Sequence, residues 1–443
     1  MGIDQEVVDY TYRVRVRHEP GQLAKVLGAI ADAGGLIGEA RTCALTRTFS
    51  IRELTVEVRD DEQAEELRGA MDDLDGVEVC EAHDRALALH EGGKLRIQPV
   101  RRVETVQDMR DVYTPGVARV CQAIRDDPDA ARRYTTTGRS VAICTNGTRV
   151  LGLGDVGPLA AMPVMEGKAV FYSQLAGISA MPILIDADDP DEFVETVVRI
   201  APTFGGIHLE DISAPECFEI ESRLIDALDK PVMHDDVHGT AVVALAAARV
   251  ACRHGGVDFE DQVVGQLGLG AAGFGIASLM VEAGVEGVLA FDPDESSHEH
   301  ARERGIEMAS MDEVMERARV VIATTGQPGS IDAGQVRDGQ IVLALSNPDP
   351  EIDPDAAMDA GAAFAADGSM VNNVLGYPGM FRGALDAGAE EMSVEMKLAA
   401  AQAIADAAPE SELVPDALDE SVHRAVADAV REAAASSKTP TAA

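Results

Sequence analysis

Short apolar runs bounded by polar or glycine-rich turns dominate the chain from about residue 140 onward. Runs of this length with such boundaries are typical of buried strands. Longer stretches with helical spacing separate them, so strand and helix candidates alternate. This alternation predicts an α/β fold built on parallel sheets. The strand candidates, some with the turn that ends them, are 140–144, 149–155, 205–209, 231–234, 262–267, 288–291, 320–326, 341–348 and 362–365.

The first 85 residues have a different pattern and predict a small unit of their own. Residues 12–18 alternate between apolar and polar side chains, as in a half-buried strand. A Pro-Gly turn then leads into a helix that ends at Gly34–Gly35. The elements that follow are strands at 36–47, 50–59 and 77–80 and a helix at 62–74. The resulting βαββαβ order resembles an ACT domain, a ferredoxin-like fold that often senses amino acids; an oligomerisation module without a ligand is the alternative.

Two acidic pairs, Glu210-Asp211 and Asp235-Asp236, each close one of the apolar runs. Ligands gather at the carboxyl ends of strands in an open α/β sheet, so the two pairs are candidates for one site. Two carboxylates ~4 Å apart cost roughly 4 kcal/mol at an effective dielectric of 20. A divalent cation removes that cost, and oxygen ligands suit Mg²⁺ or Mn²⁺. Two separate solvated loop ends are the alternative interpretation.

A glycine-rich turn follows the strand candidate at 262–267. Gly268, Gly270 and Gly273 form the pattern GxGxxG between this strand and a helix, with Ala271 and Ala272 opening the helix. The next strand ends at Asp292, about 20 residues farther on. Together these features predict a Rossmann-type dinucleotide-binding domain, in which the glycines admit the pyrophosphate and Asp292 accepts ribose hydroxyls.

Five other polar side chains are candidates with common structural alternatives. Tyr113 precedes a helix and could be a core tyrosine, and Lys168 stands among apolar neighbours but could be a surface lysine. Partial burial would lower the pKa of Lys168 and prepare it to act as a base. Three asparagines follow strand candidates, where a substrate would bind, although asparagine also forms turns. These are Asn347, Asn372 and Asn373.

The composition excludes several partners. A net charge of −40, with only six lysines, makes nucleic acid and anionic membranes poor partners. The six cysteines are scattered without a CxxC pair, which favours reduced thiols in a cytoplasm. Without a basic and apolar leader or a bilayer-length apolar run, the sequence predicts a soluble cytoplasmic protein.

Seven motifs in unbroken order between about 100 and 400 jointly resemble malic enzymes of the shorter prokaryotic type. They are YTPGVA (113–118), RVLGLGDVGP (149–158), VMEGKA (164–169), APTFGGIHLEDISAP (201–215), HDDVHGTA (234–241), SNP (346–348) and NNVLGYPG (372–379). The resemblance implies a role for each candidate. Tyr113 would be the acid and Lys168 the base, with Asp235 beside the lysine. The metal ligands would be Glu210, Asp211 and Asp236, and the substrate-binding residues Arg149, Asn347, Asn372 and Asn373.

The activity implied by the resemblance is the oxidative decarboxylation of (S)-malate to pyruvate and CO2, with reduction of NAD and a requirement for Mg²⁺ or Mn²⁺. Asp292 favours NAD, because its carboxylate would repel the 2′-phosphate of NADP. A homodimer or higher homo-oligomer is expected, with an amino-acid or organic-acid effector at the ACT-like unit. The alternatives are a malolactic-type enzyme that retains NADH, and an amino-acid sensor whose Rossmann half is not catalytic. The expected organisation is an ACT-like regulatory domain (1–90), an α/β malate- and metal-binding domain (91–235), an NAD-binding domain (236–385), and C-terminal helices with a disordered tail (386–443).

Overall fold

The computed structural model describes residues 7–150, 152–369 and 371–437. The chain divides into two compact units, Met1–Arg96 and Ile97–Ala443. Each unit has its own sheets and its own buried side chains.

The first unit is one four-stranded antiparallel sheet with the strand order β2-β3-β1-β4. Alternation along β1 buries Tyr12, Val14 and Val16 against the helices, and the Tyr12 hydroxyl donates to the Ala64 carbonyl oxygen of α2 at 2.8 Å. The predicted βαββαβ order is confirmed. The elements are β1 (Val8–Arg17), α1 (Gln22–Asp32), β2 (Leu36–Leu45), β3 (Phe49–Val58), α2 (Asp61–Asp72) and β4 (Val77–Asp84), with α3 (Arg85–His90) after them.

The second unit begins with helices and a four-stranded parallel sheet of order β6-β5-β7-β8. Its strands are β5 (Ser140–Thr145), β6 (Ser179–Leu184), β7 (Gly206–Leu209) and β8 (Val232–His234). The helices around them are α4 (Val106–Val112), α5 (Val117–Asp126), α6 (Ala130–Tyr134), α7 (Gly157–Ala176), α8 (Pro190–Ile200), α9 (Glu216–Ala227) and α10 (Thr240–His254).

The strand predicted at 149–155 is wrong for the described residues of that segment. Val150 and Gly154 form one isolated bridge, and no strand is assigned around them. Gly152 and Gly154 have φ values of 78° and 76°, which extended backbone does not adopt. Leu151 lies outside the described residues. The glycines therefore form a tight turn ahead of α7, where their spacing imitates the alternation of a strand.

A six-stranded parallel sheet follows, with the order β11-β10-β9-β12-β13-β14. This is the doubly wound Rossmann order. From β9 the sheet grows in one direction through β10 to β11, and then in the other through β12 to β14, which leaves a crevice at the carboxyl ends of β9 and β12. The strands are β9 (Val263–Leu267), β10 (Gly287–Phe291), β11 (Glu307–Met308), β12 (Val320–Ala323), β13 (Ile341–Ala344) and β14 (Phe364–Asp367). The helices are α11 (Ala271–Glu282), α12 (His298–Glu303), α13 (Met311–Arg317) and α14 (Pro354–Asp359).

Three helices end the described chain: α15 (Tyr377–Ala387), α16 (Val394–Ala407) and α17 (Glu420–Ser437). Helix α17 packs on α15 and α16, and α16 packs on α10. The tail predicted to be disordered from Ser436 begins inside α17, and its remainder lies outside the described residues. Within the described ranges, none of the helices has the length and apolarity needed to cross a membrane.

Candidate active site

The two acidic pairs lie together at the carboxyl ends of adjacent strands. Glu210 and Asp211 follow β7, and Asp235 and Asp236 follow β8, which pairs with β7 in parallel. One carboxylate oxygen from each of Glu210, Asp211 and Asp236 lies within 4.8 Å of the other two. Glu210 and Asp211 are buried. The acids therefore form one cluster, and the interpretation as two separate solvated loop ends does not hold.

Two local departures from extended backbone bring adjacent acids to one side. Asp211 has a φ of 53°, and it is the only non-glycine residue with positive φ in the described part of the chain. Residues Asp235–Gly239 form a π-helical turn between β8 and α10. Since neighbouring side chains of a strand point to opposite faces, each pair needs such a bend to converge. The Asp211 N–H donates to Asp236 Oδ2 at 3.2 Å and joins the two turns.

Lys168 of α7 is the cation of this cluster. Its Nζ lies 2.5 Å from Asp235 Oδ2 and 2.9 Å from Glu210 Oε1, and its side chain is 10 % exposed. The Tyr377 ring lies with its centroid 4.8 Å from Nζ. Lys168 is thus a buried lysine held by two carboxylates, and not a surface lysine.

Burial and mutual repulsion dominate the electrostatics of the cluster. Burial, together with neighbouring carboxylates, raises the pKa of Glu210 and of Asp211 to about 8, although Lys168 opposes the rise. Burial raises the pKa of Asp235 to about 6, although Lys168 opposes the rise. Burial lowers the pKa of Lys168, but Asp235 and Glu210 raise it by more, so the net pKa lies well above its ordinary value. The lysine expected to act as a base therefore carries a proton in the free chain, contrary to the shift expected from partial burial alone.

Three residues that the sequence analysis did not assign surround the lysine and Glu210. The His208 Nε2 lies 2.7 Å from Glu210 Oε2, and its Nδ1 lies 2.8 Å from the Tyr172 hydroxyl. Burial lowers the pKa of His208 to about 4, so its ring is neutral and Nε2–H donates to the carboxylate. Tyr377 lies edge-on to Tyr172, with ring centroids 4.9 Å apart. Spacing offered a signal for two of them, because His208 shares a strand face with Glu210 and Tyr172 a helix face with Lys168.

The donor set fits a hard divalent cation. All three clustered side chains offer carboxylate oxygens, and Asp211 Oδ2 is buried without a hydrogen-bond partner. An unpaired buried carboxylate oxygen is costly, and coordination to a cation would satisfy it. Oxygen ligands without thiolates favour Mg²⁺ or Mn²⁺ over softer metals.

The substrate-binding candidates lie on loops at the ends of strands. The Arg149 N–H donates to the Asp211 carbonyl oxygen at 3.1 Å, which places this residue beside the cluster with an exposed side chain. Asn347 follows β13, and its Nδ2 donates to the Gly368 carbonyl oxygen at 3.2 Å. Asn372 caps a 3-10 turn that contains Asn373, and this turn packs against the acidic turn at 235–239.

Tyr113 is the predicted site residue that a single chain does not bring to the cluster. It ends α4 and is 70 % exposed. Among the described residues, no hydrogen bond or ring contact joins Tyr113 to Lys168 or to the acids. Helices α4 and α5, on either side of it, bury none of their residues.

The glycine-rich turn has the geometry of a dinucleotide-binding loop. Gly268 has a φ of 88°, and a Cβ there would meet the Thr324 carbonyl oxygen at 2.7 Å. A Cβ on Gly273 would meet the Gly268 carbonyl oxygen at 2.0 Å, whereas one on Gly270 would have no heavy atom within 4 Å. The position nearest the start of α11 is therefore open to a ligand, and Ala271 and Ala272 open that helix. Asp292 Oδ2 accepts the Leu269 N–H at 2.6 Å, at the end of β10.

Comparisons with known proteins agree with this geometry. The family described as "Malic enzyme, N-terminal domain" matches residues 92–225. "NAD-dependent malic enzyme 1" of Bacillus subtilis is 49 % identical over 96 % of this chain and 97 % of its own length. "NAD-dependent malic enzyme" of Geobacillus stearothermophilus is 40 % identical over 96 % of this chain and 94 % of its own. The crystal structure of malic enzyme from Pyrococcus horikoshii aligns with a TM-score of 0.75 at 37 % identity, covering 80 % of this chain and 90 % of that one. A relative this similar over nearly the whole of both chains shows the family: the chain belongs to the malic enzymes.

Proposed function

We propose that this protein catalyses the NAD-dependent oxidative decarboxylation of malate to pyruvate and CO2 with Mg²⁺ or Mn²⁺. The observation that carries the proposal is the buried Lys168 ammonium between Glu210 and Asp235, beside a carboxylate cluster suited to a divalent cation. The relatives described above carry the name NAD-dependent malic enzyme and support the choice of cofactor. Incubation with malate, Mn²⁺ and NAD is expected to yield NADH and pyruvate, and chelation of the metal is expected to stop turnover.

The chain's own residues would bind malate and move its protons. Arg149 would pair with a carboxylate of malate. The side chains of Asn347, Asn372 and Asn373 would donate hydrogen bonds to substrate oxygens. Lys168 Nζ would first pass a proton to Asp235 Oδ2, 2.5 Å away, and as a neutral amine would then take the proton of the 2-hydroxyl group. Tyr113 would give a proton to C3 of the enol of pyruvate. When bound, the divalent cation polarises substrate oxygens and NAD accepts the hydride.

We assign roles to the parts of the chain on the same basis. Residues 91–235 would bind malate and the metal, residues 236–385 would bind NAD, and the helices described between residues 386 and 437 would support both. The glycine turn at Gly268–Gly273 would hold the pyrophosphate at the N-terminus of α11. Asp292 would bind the adenosine ribose of NAD.

Replacing Asp292 by asparagine is expected to raise the KM for NAD about tenfold, because hydrogen bonds to a charged group contribute about 1.5–3 kcal/mol. The preference for NAD over NADP should fall at the same time, since the charge that repels a 2′-phosphate is gone. Steady-state kinetics with both cofactors measure this. Asp294→Asn is the matched control, because Asp294 is exposed and its carboxylate accepts a hydrogen bond from Ser296 N–H in the next turn. An unchanged cofactor ratio in Asp292→Asn would contradict the assignment.

We propose that the protein is a homodimer and that Tyr113 acts in the site of the other subunit. Apolar side chains at every third position of the segment that leads to Tyr113 are exposed, and clustered exposed apolar side chains favour protein interfaces; we call this set the apolar stripe. A second copy would cover the stripe and could bring the tyrosine to a lysine that its own chain does not reach. The stripe consists of Ile97, Val100, Val103, Val106, Met109 and Val112.

Mixed dimers test this proposal. Tyr113→Phe and Lys168→Ala homodimers are each expected to be inactive in exchanging the C3 hydrogens of pyruvate with solvent, which is the activity followed in this test. Dimers re-formed from both variants should regain about a quarter of parental activity, because half of a statistical mixture carries one site with both residues. No recovery after verified subunit exchange would place the acid within one chain. An active Tyr113→Phe homodimer would point to another acid, of which Tyr377 beside Lys168 is the best placed.

We propose that the first unit is an ACT-like regulatory domain that binds an amino acid or organic acid. A pocket of about 320 Å³ lies where β1 turns into α1, and its lining includes Arg17, His18, Ser50 and Arg52. Two arginines in one pocket suit a carboxylate. The Arg52 Nε is buried without a hydrogen-bond partner, so a ligand oxygen could satisfy it. A unit that only holds subunits together is the alternative.

Screening amino and organic acids against the full-length enzyme is expected to find one that changes the rate. Arg52→Met should abolish that response and leave the basal rate unchanged, because every residue assigned to chemistry lies at Tyr113 or later. Arg41→Met is the control, since Arg41 pairs with Glu53 and does not line the pocket. If no compound shifts the rate, or if Arg52→Met responds as the parent does, the regulatory site is wrong.

A further inference from the structure

Three polar residues in contact with one another lie next to the acidic turn at 235–239 and have no part in the mechanism above. Glu221, a buried residue of α9, accepts the His234 backbone N–H on Oε1 at 2.7 Å. Its Oε2 lies 2.9 Å from His238 Nε2. One carboxylate therefore holds both ends of the segment His234–His238, and the interior of this segment carries Asp235 and Asp236.

Lys397 of α16 is the third of these residues and contacts His238. Its Nζ lies 3.1 Å from His238 Nδ1. Because one ring nitrogen faces a carboxylate and the other an ammonium, a neutral imidazole protonated on Nε2 satisfies both contacts. His238 then donates a hydrogen bond to Glu221 and accepts one from Lys397. The positive charge of the ammonium therefore offsets the negative charge of the buried carboxylate, with the imidazole ring between them.

We call Glu221, His238 and Lys397 the clamp, because their contacts hold the acidic turn. The charges of the neighbouring cluster give this clamp a force to oppose. One carboxyl oxygen from each of Glu210, Asp211 and Asp236 lies within 4.8 Å of the others, and whenever these groups are ionised their repulsion acts to separate the two turns. The acidic turn has only five residues in π-helical geometry, and one hydrogen bond joins Asp236 to the facing turn. A fixed carboxylate that bonds to both ends of the turn opposes this displacement.

We infer that Glu221, His238 and Lys397 are positioning residues that hold the Asp235–Asp236 turn in the geometry that binds the divalent cation. The inference rests on the proposed function in one respect, the location of the cation at the clustered carboxylates. It gives α16 of the C-terminal helices a role in metal affinity, although none of its residues reaches the cluster. Groups that orient metal ligands in this way affect affinity by about 10- to 100-fold.

Mn²⁺ binding to full-length Lys397→Met tests the inference. The dissociation constant for Mn²⁺, measured from the spin-resonance signal of free Mn²⁺, is expected to rise about 10- to 100-fold. The affinity for NAD, measured by calorimetry, should not change. Lys230→Met is the matched control, because Lys230 is also partly buried but donates to the Ala201 and Phe204 carbonyl oxygens at 2.6 and 2.8 Å. This control should bind Mn²⁺ as the parent does.

Three more variants separate positioning from general loss of structure. Glu221→Gln breaks the same clamp, so the double variant with Lys397→Met should bind Mn²⁺ little more weakly than the worse single variant. Lys397→Arg keeps a donor and should restore part of the affinity. Parental Mn²⁺ affinity in both Lys397→Met and Glu221→Gln, or an equal loss in Lys230→Met, would overturn the inference. A parent protein that does not bind Mn²⁺ would overturn the proposed function and this inference with it.

Discussion

Replacing Asp236 by alanine is expected to lower kcat/KM for malate oxidation by about a thousandfold. A cation acting as a Lewis acid contributes several kcal/mol, and each 1.36 kcal/mol is a factor of ten in rate. Asp236 offers one of the three oxygens that lie within 4.8 Å of one another, so its loss leaves only two of these candidate ligands for the cation. The rate should recover partly as Mn²⁺ is raised, and titration of Mn²⁺ against the initial rate measures this.

Asp229→Ala is the control for loss of one negative charge, because Asp229 is exposed and precedes β8 on the same stretch of chain. Its activity should equal that of the parent. Full activity of Asp236→Ala at limiting metal would remove this carboxylate from the mechanism.

Replacing Lys168 by methionine is expected to lower the rate of hydride transfer by about 10²- to 10⁴-fold, the usual contribution of a general base. The same change leaves the buried Asp235 and Glu210 without their cation, which costs about 3 kcal/mol or more in unfolding free energy. A rapid-mixing record of NADH formation and a thermal melt measure the two effects. Methionine keeps the length and apolar volume of the side chain, so packing around it is retained.

Tyr113→Phe provides the comparison for Lys168→Met. It should retain hydride transfer from malate but slow the exchange of pyruvate C3 hydrogens with solvent, because its hydroxyl is assigned to the later protonation. The melting of the single chain should be unchanged, since Tyr113 is 70 % exposed there and the change removes only its hydroxyl group. Equal losses of both variants in both assays would contradict the separate roles of base and acid.

Features that depend on local pattern were predictable from the sequence. Apolar runs followed by acids placed Glu210 and Asp236 at strand ends, and the structure brings these ends together because β7 and β8 are parallel neighbours. The fingerprint around Gly268 and Asp292 predicted a strand, turn, helix and second strand, and all four are present as β9, the turn, α11 and β10. Local order and residue spacing are enough for such elements.

Features that depend on distant packing were not predictable. The Lys397 ammonium reaches His238 only because α16 packs on α10, and no spacing rule links residues 159 positions apart. The pKa of Lys168 was expected to fall because of burial. The resemblance placed Asp235 beside the lysine, but the second carboxylate, Glu210 at 2.9 Å, was not anticipated, and the two together raise the pKa. The exposure of Tyr113 could not be predicted either, because the residues around it have the pattern of an ordinary amphipathic helix.

The most direct test of the central claim is the set of products formed from malate in the presence of Mn²⁺ and NAD. The proposed function predicts NADH, pyruvate and CO2 in equal amounts, and no product after the metal is chelated. Lactate with no free NADH would identify a malolactic-type reaction on the same residues. No turnover with either NAD or NADP, in a protein that still binds the cofactor, would contradict the proposed function and favour a sensor with a non-catalytic Rossmann half.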